Sequence, residues 1–152
     1  MKLTIPPLIV VISTGSLMQV SAIVWPFAQF NITNSIHLIL TALLGLGGAC
    51  IAFFGVFEFR KANTTVDPRN PHKSQRLVDT GIYKFSRNPM YLGFLCLILC
   101  WWLLLKNFTS FIFIPIFIIY INQYQIKPEE DALNKKFGRL YSEYCKRVRR
   151  WI

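Results

Sequence analysis

The chain has 152 residues, room for one domain with a sizeable core and too few for two ordinary ones. Hydrophobic residues make up 53% and charged residues only 16%, whereas a typical soluble domain carries about 25% charged residues. Against that low charge density stand 17 Lys and Arg but only 7 Asp and Glu, a formal charge of +10, so the charges must be concentrated in a few places. A disordered tail, a disulfide-stapled secreted module and a nucleic-acid binder are set aside. An all-α, multi-pass membrane protein with basic faces is left standing.

No Asp, Glu, Lys or Arg occurs from Leu3 to Phe57. A charge at mid-bilayer costs roughly 2.5–3.5 kcal/mol on insertion scales, so such gaps mark membrane runs. Pro, Gln, Asn and Thr cluster between Trp25 and Asn34 and divide the gap into predicted spans at 5–25 and 35–57. Each reaches the ~20 residues that a hydrocarbon core requires. The first is not read as a cleavable signal peptide, because its apolar stretch is long and no small-x-small site ends it. Gly45, Gly47 and Gly48 in the second have no strand before them, so close helix packing is favoured over a nucleotide loop. A polar loop at 59–88 follows. The third span, 89–105, opens on Pro89, a residue suited to the first turn of a helix. Lys106-Asn107 makes a tight connection to a fourth span, 108–126, where Pro115 predicts a kink. Cys50, Cys96, Cys100 and Cys145 lack metal-ligand spacing and are read as packing residues, with no metal site.

Charge bias orients these spans. The loop carries Arg60, Lys61, Arg69, Lys73, Arg76, Lys84 and Arg87, and residues 127–152 are also strongly basic. The two short connections offer only Lys106. Four spans put the N-terminus, the long loop and the C-terminus on one side, and the positive-inside rule makes that side cytoplasmic.

Polar chemistry is then confined to two segments. The loop ends in LVDTGIYKFSRNPMYLG, residues 77–93, with Arg87 and Asn88 just ahead of the third helix. A helix N-terminus and an arginine fork both favour an anion. A positive-inside anchor with an interfacial tyrosine belt explains the same residues without a ligand. The tail, predicted helical over 128–150, places Leu133, Phe137, Leu140, Tyr141, Tyr144, Val148 and Trp151 on one face and Lys135, Arg139, Lys146 and Arg149 on the other. That is a basic amphipathic helix of the membrane-surface kind. At ~100° per residue, Glu130 projects into the apolar stripe and Glu129 falls at its edge, an arrangement that calls for a cationic partner or for capping by the helix dipole. Gly138 is a candidate break.

The pattern carried by Leu77, Val78, Gly81, Tyr83, Arg87, Asn88, Pro89, Tyr91 and Gly93, followed by Glu129, Glu130, Leu133, Phe137, Gly138, Tyr141 and Tyr144, resembles the isoprenylcysteine carboxyl methyltransferase family. It is similar also to the related phospholipid methyltransferases. The resemblance covers roughly the last half of the chain. It implies an integral membrane enzyme that uses S-adenosylmethionine without a Rossmann domain and transfers methyl to a lipid-like or other apolar acceptor. By position it assigns cofactor contacts to Gln75, Arg76, Leu77, Val78, Tyr83, Asn88, Pro89, Met90, Tyr91 and Glu129. The residue reading adds Arg87 and Glu130, and Tyr83, Met90 and Tyr91 as the adenine wall. No catalytic nucleophile is visible. The prenylcysteine branch commonly has His at Gln75 and Asn88 and a substrate-holding Arg at Gln125, so the Gln here speaks against a carboxyl acceptor. Two rival readings are an NADPH-dependent membrane sterol or enone reductase and a non-enzymatic scaffold with a basic, lipid-binding tail.

Overall fold

The computed structural model describes residues 5–61 and 77–152, and among these every regular element is helical. Four apolar helical stretches form the bundle. These are α1 (Pro7–Val24), α2 (Asn34–Lys61), α3 (Pro89–Leu105) and a fourth that begins as a 3-10 turn at Thr109–Ile112 and continues as α4 (Phe113–Ile121). Three helices, Pro7–Val24, Asn34–Lys61 and Thr109–Phe137, are long and apolar enough to cross a membrane, and α3 is a shorter apolar helix running beside them. Large apolar side chains face outward along them, Leu8 at 60% exposure and Leu46 at 71% among others. Such a continuous apolar exterior has no place in water and suits acyl chains.

Lipid offers no hydrophobic drive for helices to associate, so small residues and internal hydrogen bonds must hold the bundle. The α2–α3 seam is built on the first of these. A Cβ on Gly93 would stand 2.6 Å from the Gly48 carbonyl oxygen and 2.7 Å from the Ala52 nitrogen, and one on Gly48 would stand 2.9 Å from the Gly93 oxygen. Of the glycines read as packing residues, Gly48 fills that role and Gly45 lies near Cys100, whereas Gly47 faces open space. At one end, the hydroxyls of Ser21 and Thr109 bond at 2.7 Å and Ser110 Oγ donates to the Met18 carbonyl at 2.8 Å. His37 Nε2 donates to the Leu103 carbonyl at 3.0 Å.

The two short connections meet at that end. Phe30 N–H donates to the Lys106 carbonyl and Phe108 N–H to that of Ala28. Asn107, fully buried, donates from Nδ2 to the Trp25 carbonyl and accepts at Oδ1 from Thr109. The N-terminal segment, the 77–88 stretch and the tail gather at the other end.

Two irregularities mark the fourth helix. Pro115 lies in the first turn of α4, where the helix passes from the 3-10 turn Thr109–Ile112 into α geometry and a missing N–H is harmless. The tail helix does not restart at Pro128. Residues 122–126 form a π-turn and α5 (Lys127–Phe137) continues directly from it. Ahead of Pro128, whose ring would press on the carbonyl one turn earlier in an α-helix, the wider turn gives relief. Gly138, at φ 49°, ends α5, and α6 (Arg139–Arg147) sets off in a new direction.

Candidate active site

The stretch preceding α3 is fixed from below by α2. Gly81 takes φ 57°, a left-handed turn that glycine adopts without strain, and a side chain there would run into Glu58 of α2. Thr80 Oγ1 donates to the other oxygen of Glu58 at 2.8 Å. The 3-10 turn Gly81–Lys84 then buries Tyr83, whose ring meets Phe59 edge-on at 5.3 Å. From the tail, Tyr144 donates its hydroxyl to the Tyr83 carbonyl at 2.8 Å. Leu77 joins Leu133, Phe137, Tyr141, Tyr144 and Val148 in one apolar cluster, which locks the loop onto α5 and α6. The expected stripe holds for these residues, but Leu140 lies outside it at 64% exposure because the break at Gly138 rotates the helix beyond it.

Two polar centres form where α3 and α5 begin. In the first, Tyr91 donates its hydroxyl to Glu129 Oε1 at 2.5 Å. Glu129 comes just after the apolar stretch of the fourth helix, and burial is the main cause that pushes its carboxyl up to about 8. The hydrogen bond from Tyr91 acts against that rise, and the charge of Glu130 adds to it. Burial also holds the Tyr83 phenol well above its usual range, with Tyr144, Glu129 and Glu58 contributing, so Tyr83 lies within electrostatic reach of the same acid.

In the second centre, Glu130 is gripped by two arginines. Arg150 reaches it through Nη2 at 2.6 Å and Nε at 3.1 Å, and Arg87 through Nη2 at 3.2 Å. Arg87 also donates to Cys145 Sγ, while its Nε is buried with no hydrogen-bond partner. Buried guanidinium nitrogens without an acceptor are costly, on the order of 1–3 kcal/mol each, more when charged.

The remaining residues singled out in the sequence are distributed unevenly. Val78 is buried beneath the site, and Asn88, also buried, donates from Nδ2 to the Arg150 carbonyl at 3.0 Å. Pro89 and Met90 meet Gly55 of α2, so part of the Met90 side chain lies in the helix seam. Gln125 is buried, and its Nε2 donates to the Ile5 carbonyl at 2.7 Å while Oε1 has no partner. Gln75 and Arg76 lie outside the described residues. The wheel reading, an acid inside the apolar face that calls for a cationic partner, is met at Glu130, which two arginines grip, while Glu129 pairs with Tyr91. Sequence reasoning missed Arg150 and the partnership of Tyr83 with Tyr144. In the run RVRRWI nothing distinguishes Arg150 from its neighbours, whereas the tyrosines were at least legible as motif residues.

The sequence profile of the phospholipid methyltransferase family matches residues 36–140. A stretch of 63 residues, 41% of this chain, is 46% identical to an uncharacterized protein of Haemophilus influenzae over that protein's whole length. Another of 77 residues, 51% of this chain, is 35% identical to the protein-S-isoprenylcysteine O-methyltransferase of Schizosaccharomyces pombe. That match takes in 33% of the yeast protein, so this chain spans about a third of its length. No solved structure matches.

Proposed function

The chain belongs to the phospholipid methyltransferase family, and from that premise we propose that it is a single membrane domain, 1–152, transferring methyl from S-adenosylmethionine to a lipid-like acceptor within the bilayer. The observation that carries the reading is the pairing of Tyr91 with Glu129 beside the Arg87–Glu130 cluster, at the junction of α3 and α5. These residues suit the two ends of an amino-acid moiety. Glu129, bonded at Oε1 by one phenol, answers an ammonium, and Arg87, with a buried Nε lacking an acceptor, answers a carboxylate. S-adenosylmethionine supplies the sulfonium-bound methyl group and the electrostatic drive for its transfer.

The chain's own part is binding, orientation and exclusion of water. Tyr91 holds the Glu129 carboxyl in one direction, and Tyr83 closes the loop side under the grip of Tyr144. An in-line displacement from sulfonium needs alignment more than acid–base chemistry, and a well-oriented pair lowers the barrier by roughly 7–11 kcal/mol in the best cases. We place the N- and C-termini and the loop on the cytoplasmic side, by the positive-inside rule. The acceptor then reaches the site laterally from the inner leaflet. Gln125, with no charge to offer a carboxylate, favours an acceptor other than a free carboxyl.

Protonation of Glu129 sets a pH dependence. With the carboxyl raised to about 8 in the ligand-free protein, it is mostly neutral at pH 7, and a cation binds only its ionised form. Affinity therefore rises with pH below 8, by about tenfold between pH 6 and 7, where an α-ammonium stays charged. Titration at these two pH values checks it, with Glu129→Gln as a control expected to be flat; equal affinities in the unsubstituted protein would contradict it. The reaction itself is tested by incubating membranes containing the protein with methyl-labelled S-adenosylmethionine. Label is expected in the lipid fraction, and a lipid fraction that stays unlabelled relative to control membranes overturns the proposal.

A further inference from the structure

We propose that Arg150, in the segment after α6 and beyond the stretch matched to the family, is a positioning residue of the cofactor site that keeps the charge of Arg87 available to a carboxylate. The inference rests on the cofactor reading above. Glu130 carries one negative charge and has two arginines around it, so the cluster is left with one net positive charge. Which guanidinium keeps that charge is set by distance. Arg150 forks onto Glu130 with its shorter contact at 2.6 Å, while Arg87 stands at 3.2 Å. A bidentate, charge-assisted pair at the shorter distance takes up most of the carboxylate. The Glu130 bond also holds Arg150 protonated above its usual value. Arg87 is left with a buried Nε that has no acceptor.

The backbone of the same segment fixes where Arg87 stands. Arg87 N–H donates to the Arg149 carbonyl at 3.0 Å, and the Arg150 carbonyl accepts from Asn88 Nδ2 at 3.0 Å and from Ser86 Oγ at 3.4 Å. Trp151 Nε1 donates to Asn122 Oδ1 at 3.2 Å, which ties the segment to the π-turn. Arg150 thereby braces the peptide that carries Arg87 and occupies Arg87's competing counter-ion. Without it, the Glu130 carboxylate turns wholly to Arg87, and a neutral pair has little attraction for an anion.

A merely structural role would weaken every ligand alike, and that difference supplies the test. The purified full chain is titrated with S-adenosylmethionine and with decarboxylated S-adenosylmethionine, which keeps the sulfonium, amine and adenosine but lacks the carboxylate. Arg150→Gln is expected to weaken the first by about tenfold and the second by less than about twofold. Arg150→Lys, which keeps the charge without the fork, should lose about threefold, again only for the carboxylate-bearing ligand; this variant carries the comparison if Arg150→Gln does not fold. In a Glu130→Gln background there is no carboxylate to neutralise, and adding Arg150→Gln should change affinity by less than about twofold. Equal losses on both ligands, or an unchanged loss in that background, overturn the proposal. If the unsubstituted protein binds neither ligand, the cofactor reading falls first and takes this one with it.

Discussion

Glu129→Gln is expected to weaken S-adenosylmethionine binding by roughly 30- to 100-fold, the range for losing a charge-assisted hydrogen bond in a partly buried site. The substitution preserves size, and the amide oxygen still accepts from Tyr91, so the local fold is retained and the loss reads the missing charge. Glu130→Gln provides the contrast. Its carboxylate is already committed to Arg87 and Arg150, and the change is expected to alter affinity by less than about threefold, because Arg87 stays charged without it. Equilibrium binding to the two purified variants checks the pair. Comparable losses at both positions, or a larger one at Glu130, would show that the acid facing the ammonium has been misassigned.

The second large effect concerns the scaffold. Gly93→Val is expected to cost about 3 kcal/mol or more and to leave little folded protein in the membrane, the upper range for forcing atoms into a packed core. The reason is that the atoms in the way are backbone. The Gly48 oxygen and the Ala52 nitrogen stand 2.6 and 2.7 Å from a Cβ on Gly93, and they move only if α2 and α3 separate. Tyr91 rides on α3 two residues earlier, so activity is lost together with the fold. Gly47→Ala is the matched control. Nothing lies within 4 Å of a Cβ at Gly47, and relieving a helical glycine should be neutral or stabilising by about 0.5–1 kcal/mol. Thermal unfolding in one detergent distinguishes them, and a Gly93 variant with an unchanged midpoint would mean that the seam is looser than described.

The membrane runs were legible because lipid punishes charge and punctuation is explicit. The predicted span 89–105 coincides with α3, with Pro89 opening it and Lys106, in a left-handed conformation at φ 50°, closing it. The start of α2 was equally clear, but its last turn runs on to Lys61, since a helix does not stop where hydrophobicity does. The site was legible in its inventory and less so in its geometry. Tyr91 and Glu129 were named from the motif and Arg87 from its place just ahead of the third helix, and the structure brings Tyr91 and Glu129 together. A wheel advancing ~100° per residue puts Glu130 in the tail's apolar stripe and asks for a cation there, which Arg87 and Arg150 supply. The π-turn just before α5 and the break at Gly138 are departures that such a wheel takes no notice of. Met90 meets Gly55 of α2, a contact that its place in the motif does not announce. Which of the three clustered glycines meets α3 depends on the crossing of two helices, a quantity that no local pattern in one of them contains.

The most direct test is calorimetric titration of the purified protein, in detergent at pH 7, with S-adenosylmethionine and separately with NADPH. Saturable binding of the sulfonium compound is expected, with a proton released from Glu129 that makes the heat depend on the buffer, and no binding of the dinucleotide. Saturable NADPH binding with no heat from S-adenosylmethionine would contradict the assignment of this site.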